Sequence, residues 1–203
     1  MTGALEICAN VGATLAIWLA GRNSIHTWWT GMLGCALFAL LFYQSRLYAD
    51  VLLQLFFIGS SALGWWYWRR RSSGVERPIA AADFASLAWP TAAALLVAAA
   101  YAGLLLHFTD AYAPFIDSAV LALSVLAQLL LMKRRIENWA FWLLVNSLAV
   151  PLYASRGLYL TALLYACYWV HALVAWWQWR RLAAAALVMP APAMAGTSSA
   201  RQP

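Results

Sequence analysis

The sequence predicts an all-α integral membrane protein of seven transmembrane helices, built as two parallel three-helix repeats joined by a linker helix. Three observations carry that prediction. The 203-residue chain is 65% apolar and 10% charged, with a mean hydropathy of +0.72, whereas a soluble domain is about 25% charged. Seven apolar runs approach the roughly 20 residues that a spanning helix needs. One 24-residue stretch also occurs twice.

The repeated stretch is LYADVLLQLFFIGSSALGWWYWRR, Leu47 to Arg70, which returns 111 positions later as LYLTALLYACYWVHALVAWWQWRR, Leu158 to Arg181. Nine of its 24 positions are identical, among them Trp65, Trp66, Trp68, Arg69 and Arg70 on Trp176, Trp177, Trp179, Arg180 and Arg181. Leucine matches mean little in so apolar a chain; three tryptophans and two arginines in register mean more. The same offset puts Trp28 on Trp139, Ile25 on Ile136, Leu41 on Leu152, Arg22 on Lys133 and Glu6 on Asp117. Residues 1–71 therefore form a first three-helix repeat, 72–111 a cytoplasmic loop and linker helix, 112–182 a second repeat, and 183–203 a disordered cytoplasmic tail.

The spans are expected at about 3–20, 27–44, 48–68, 88–107, 112–131, 138–154 and 158–179. Short turns at Gly21–Ser24 and Ser155–Gly157 make adjacent helices antiparallel hairpins, and Arg71–Leu87, with its Ser, Gly, Glu and Arg, reads as a solvated loop. Eleven Lys and Arg fall on the side reached after the first span, against Arg46 and Arg156 on the other. The N-terminus is thus expected outside and the C-terminus in the cytoplasm. An odd repeat followed directly by itself would insert upside down, and the fourth helix restores its direction. Parallel repeats of this kind are a secondary-transporter architecture, with substrate held near the midplane.

Several classes are disfavoured. The net charge of +6 sits in short clusters at span ends and forms no basic face for nucleic acid. Cys8, Cys35 and Cys167 stand singly in apolar segments, without disulfide or metal spacing. Residues 1–20 hold Glu6 and no Lys or Arg, so the first apolar run is expected to stay as a helix and not to act as a signal peptide. No metal or cofactor is expected, and no P-loop, HExxH or intramembrane acid pair points to an enzyme.

Three separated motifs, LYADVLLQ followed by Gly64-Trp65, DSAVLALSVLAQ at Asp117–Gln128 and ENWAFWLLVN at Glu137–Asn146, resemble the PnuC vitamin transporters over residues 4–181. The resemblance implies a SWEET-like fold in a bacterial inner membrane and facilitated diffusion of an unphosphorylated vitamin, trapped by phosphorylation inside the cell. Nicotinamide riboside is the expected cargo; thiamine or another vitamin or nucleoside is the alternative, and a ligand-sensing subunit a more distant one. A homotrimer is consistent with the resemblance alone. Two positions depart from the family pattern: Gly34 stands near where an Asn is common, and Ala175 where a Gly precedes the last tryptophans.

Polar side chains inside a bilayer are costly, so those within spans are site candidates. Trp139, Trp142 and Asn146 share one face of the sixth span; Asp117, Ser124 and Gln128 share one face of the fifth. Asp50 and Gln54 are a turn apart on the third, as are Asn10 and Thr14 on the first. Gln and Asn both donate and accept, which suits ribose hydroxyls and a carboxamide, and indoles stack on a cationic ring. Substrate binding is therefore expected at Gln54, Trp139, Trp142, Asn146, Gln128, Asn10, Trp28, Asp117 and Asp50. The structural alternative is an interfacial belt for Trp28, Trp65, Trp66, Trp68, Trp176, Trp177 and Trp179, and helix-to-helix bonding for the amides. His171 lacks an acid partner at its depth and reads as a packed or pocket-edge residue. No Lys or Arg lies in mid-span to neutralise a phosphate, so the cargo is expected to be neutral or cationic.

Overall fold

The computed structural model describes residues 2–44, 48–70, 79–108, 113–155 and 159–188. Seven helices follow in order: α1 (Thr2–Gly21), α2 (His26–Gln44), α3 (Tyr48–Arg70), α4 (Phe84–Phe108), α5 (Pro114–Met132), α6 (Asn138–Ser155) and α7 (Tyr159–Val188). Each expected span lies on one of them. By length and hydropathy alone, among the described residues, only α4 and α5 reach the level of a bilayer span. The described stretch Ile7–Gly21 of α1 is apolar but shorter.

The repeat is visible in individual hydrogen bonds. At the end of α1 the Ser24 N–H turns back to the Leu19 carbonyl at 3.0 Å, with Asn23 at φ 53°, the wrap that closes helix C-termini. At the end of α5, 111 residues on, the Arg135 N–H bonds Leu130 O at 3.0 Å, with Arg134 also at φ 53°. Asn tolerates this left-handed conformation and Arg does so at a cost. The Arg134 turn is held from outside as well: Ala80 N–H bonds Arg134 O, Ile136 N–H bonds Ala80 O, and the Arg135 guanidinium donates to Ala81 O at 2.8 Å.

Six helices close a ring in the order α1, α2, α3, α5, α6, α7 and back to α1, while α4 packs outside along α5. Two seams join the halves, α1 with α7 and α3 with α5. They exchange equivalent bonds: Trp68 Nε1 donates to Met132 O at 3.0 Å, and Trp179 Nε1 donates to Gly21 O at 3.1 Å and to Ala20 O. Gly21 and Met132 are themselves 111 residues apart. Trp28 meets Trp68 edge to face at 5.2 Å, and Trp139 meets Trp179 in the same way at 5.6 Å. These four indoles anchor one core cluster at the basic end of the bundle.

Three expectations are corrected. Trp28, Trp68 and Trp179 are not belt residues, being at most 4% exposed in that cluster; Trp65, Trp66 and Trp177 do face outward, and Arg69 and Arg181 stack over Trp65 and Trp177. The Arg71–Leu87 interval is not wholly solvated. Ile79 is buried in the core cluster, the pairing of Ala80 fixes the chain there, and α4 begins at Phe84; residues 71–78 lie outside the described residues. The tail expected from 183 instead begins as helix, because the alanine run continues α7 to Val188. Residues 189–203 lie outside the described residues.

Candidate functional site

Hydroxyls inside the helices mostly bond their own backbone: Thr30 to His26 O, Ser124 to Val120 O, Ser147 to Leu143 O and Ser60 to Phe57 O. That satisfies them where no water is available. The amides differ. Asn146 is buried on α6 at 4% exposure, and its side chain has no hydrogen bond with another described residue. Gln54, half-buried on α3, is likewise without one. Buried amides normally find partners, so these two are the side chains most available to a ligand.

Gln128 is buried at 9% exposure and reaches across the α3/α5 seam to Ser61 Oγ at 3.4 Å. This is a long bond of the helix-to-helix kind, and one easily exchanged. Trp139 is buried against His171 and Trp179, with ring centroids 6.0 Å and 5.6 Å away. Its Nε1 is buried and unpartnered, as is that of Trp28. Trp142 is half-buried and packs on the same cluster. The structure thus gathers Trp28, Trp139 and Trp142 at the basic end, with Gln128 one turn away along α5 and Asn146 one turn beyond Trp142 on α6. Asn10 is half-buried on α1.

The carboxylates stand elsewhere. Asp117 occupies the first turn of α5, favoured there by the helix dipole. At a rise of about 1.5 Å per residue it is about 16 Å from the Gln128 level. Asp50 lies in the first turn of α3, and its side chain is outside the described residues. Neither is brought to the indole cluster.

Gly34 and Gly21 explain the two departures. A Cβ at Gly34 would lie 2.9 Å from Ala13 N, where α1 and α2 cross through Gly12, so no Asn fits. Ala175 takes the place equivalent to Gly64, and the missing Cβ moves to Gly21, where one would meet His171 Nε2 at 2.7 Å and the Ala175 Cβ at 3.1 Å. His171 Nε2 lies 3.0 Å from Ile17 O, which supports its reading as a packing residue.

Sequence reasoning missed a tyrosine chain. Tyr153 and Tyr165 stand with ring centroids 4.9 Å apart, Tyr165 and Tyr168 5.8 Å apart, and the Tyr168 hydroxyl is 2.9 Å from Thr14 Oγ1 across the α1/α7 seam. The i, i+3 spacing of Tyr165, Tyr168 and His171 was the available signal.

A family profile described as "Nicotinamide mononucleotide transporter" matches residues 3–181. The chain is 28% identical over 191 residues to "Nicotinamide riboside transporter PnuC" of Escherichia coli K12, covering 79% of this chain and 78% of the relative. It is 26% identical to the protein of that name from Neisseria mucosa, covering 85% and 71%. A solved structure, "Crystal structure of the Vitamin B3 transporter PnuC", superposes with a TM-score of 0.72 at 24% identity over 89% of this chain and 82% of that one, a likeness of fold. The relatives are named as transporters. This multi-pass membrane protein therefore belongs to the nicotinamide mononucleotide transporter family, the PnuC proteins, and is a transporter and not an enzyme.

Proposed function

We propose that the chain takes up nicotinamide riboside by uniport, the two three-helix halves (1–71 and 112–182) rocking about a pocket inside the ring, with phosphorylation in the cell making uptake directional. The observation that supports the reading is the placement of neutral amides, Gln128 and Asn146 buried on α5 and α6 and Gln54 half-buried on α3, with described Lys and Arg only toward helix ends. A phosphate dianion in so dry a site needs a paired cation, so the riboside fits and the mononucleotide in the family's description does not. The names of the 28% and 26% identical relatives favour the same cargo.

Arg22, Arg134 and the α7 arginines lie at the same end as the four-indole cluster, which supports a cytoplasmic placement of that end and an outward N-terminus. Asp117 and Asp50 then act at the outer mouth, where they would attract a cationic ring. A homotrimer is the proposed assembly, on the resemblance alone. The test is flux into liposomes containing only this protein. Riboside should equilibrate without an ion gradient and mononucleotide should stay out. Entry of thiamine alone would overturn the cargo, and no flux of any compound would favour a sensing role.

A further inference from the structure

A cavity of about 530 Å³ opens between α3, α4 and α5, and none of the nine candidate residues lines it. Leu53 and Phe56 of α3, Ala94 and Ala98 of α4, and Leu121 and Val125 of α5 form its apolar walls. It exists because, among the described residues, α4 packs on α5 and makes no close approach to α3. Its rim faces outward: Phe56, Val97 and Tyr101 are all exposed.

One feature of the groove is polar. Ser118 lines it and is 1% exposed, yet its Oγ has no hydrogen-bond partner. Ser124 on the same helix bonds its own backbone at 2.7 Å, the usual resort of a helical hydroxyl without a ligand. Ser118 lies one turn into α5, about 6 Å below its start. That end also holds the first turns of α3, near Leu53, and the last turns of α4, near Tyr101. An unused donor thus sits at the interface end, and the hydrocarbon walls run inward from it.

We propose that this groove is a lipid site, in which one acyl chain of a glycerophospholipid lies between α3, α4 and α5 and its ester carbonyl accepts the Ser118 hydroxyl. The bilayer supplies such chains at the rim, and a buried donor there is costly until it is paired. A nucleoside finds only the Ser118 hydroxyl and, at the rim, that of Tyr101, with no amide or charged group among the lining residues. The bound chain would wedge into the α3/α5 seam, between the halves that must move.

The test is native mass spectrometry of the full chain in mild detergent with added palmitoyl-oleoyl phosphatidylglycerol. The wild type should retain one lipid per chain, and Ala94→Trp, which fills the groove, should lose it. Ser118→Ala, and the ether-linked analogue of the same lipid on the wild type, should each bind about fivefold more weakly, the equivalent of one hydrogen bond, while Ser124→Ala binds as the wild type does. Equal retention by wild type and Ser118→Ala, or of ester and ether lipids, overturns the proposal even if Ala94→Trp does not fold. Loss of oligomer mass in Ala94→Trp with lipid retained would assign the groove to a second copy and also overturn it.

Discussion

The two seams of the ring occupy equivalent places in the repeat and are built differently. Along α1/α7, contacts recur for two turns: Thr14 with Tyr168, Ile17 O with His171, and Ala20 and Gly21 O with Trp179. Along α3/α5, among the described residues, only the basic end is tied, by Ser61 with Gln128 and by Trp68 with Met132 O. The positions equivalent to Thr14 and Tyr168 are Val125 and Phe57, which offer no hydrogen bond, and Val125 lines the open groove. On the proposed rocking of the halves, the α1/α7 seam would serve as the hinge and the α3/α5 seam as the edge that parts, an asymmetry that two identical halves would not provide.

The largest expected effect separates Gly64 from Ala175. A Cβ at Gly64 would stand 2.5 Å from the ring of the fully packed Trp28, and overpacking of this kind costs about 1–3 kcal/mol or more. Gly64→Val should therefore sharply lower the melting temperature in detergent. Ala175→Gly should cost only about 1 kcal/mol of helix propensity. Similar losses from both would mean that the halves pack alike and would break the comparison.

Next comes the pocket. Asn146→Ala should weaken riboside binding by about 1–3 kcal/mol with thermal stability unchanged, read by quenching of tryptophan fluorescence. Unchanged affinity would remove Asn146 from the site.

Trp68→Phe and Trp179→Phe each delete one indole N–H bond and should each cost about 1 kcal/mol of stability, but only Trp68→Phe, on the parting seam, should change the rate of riboside flux. The smallest effect is expected from Ser61→Ala. Losing a 3.4 Å bond costs a few tenths of a kcal/mol, visible as faster flux at unchanged affinity.

Much of this fold was legible because hydropathy and the 111-residue offset are both linear properties: all seven helices and their division into two repeats follow from them. Burial was not legible in the same way. Trp28, Trp68 and Trp179 stand at span ends, where position suggests an aromatic belt, and only the direction each helix faces puts them inside. The offset itself held the better clue, since an indole that recurs with its neighbour in both halves has a partner in each. Asn146 and Gln128 stood out as candidates from polarity at depth, and the structure finds both buried. The tyrosine chain was not, because tyrosine is unremarkable near a membrane surface, and the groove was not, because it follows from α3 and α4 failing to pack. Ile79 shows the same limit on a smaller scale, as one apolar residue after a polar run that docks the loop.

The most direct test uses spin-label distances across both seams of the protein in nanodiscs, with one pair at Val11 and Leu163 on α1 and α7 and another at Leu55 and Phe115 on α3 and α5, all exposed positions. Saturating nicotinamide riboside should shift the Leu55–Phe115 distribution and leave Val11–Leu163 unchanged, and nicotinamide mononucleotide should move neither. A shift confined to Val11–Leu163, or an equal response to the mononucleotide, would contradict the account.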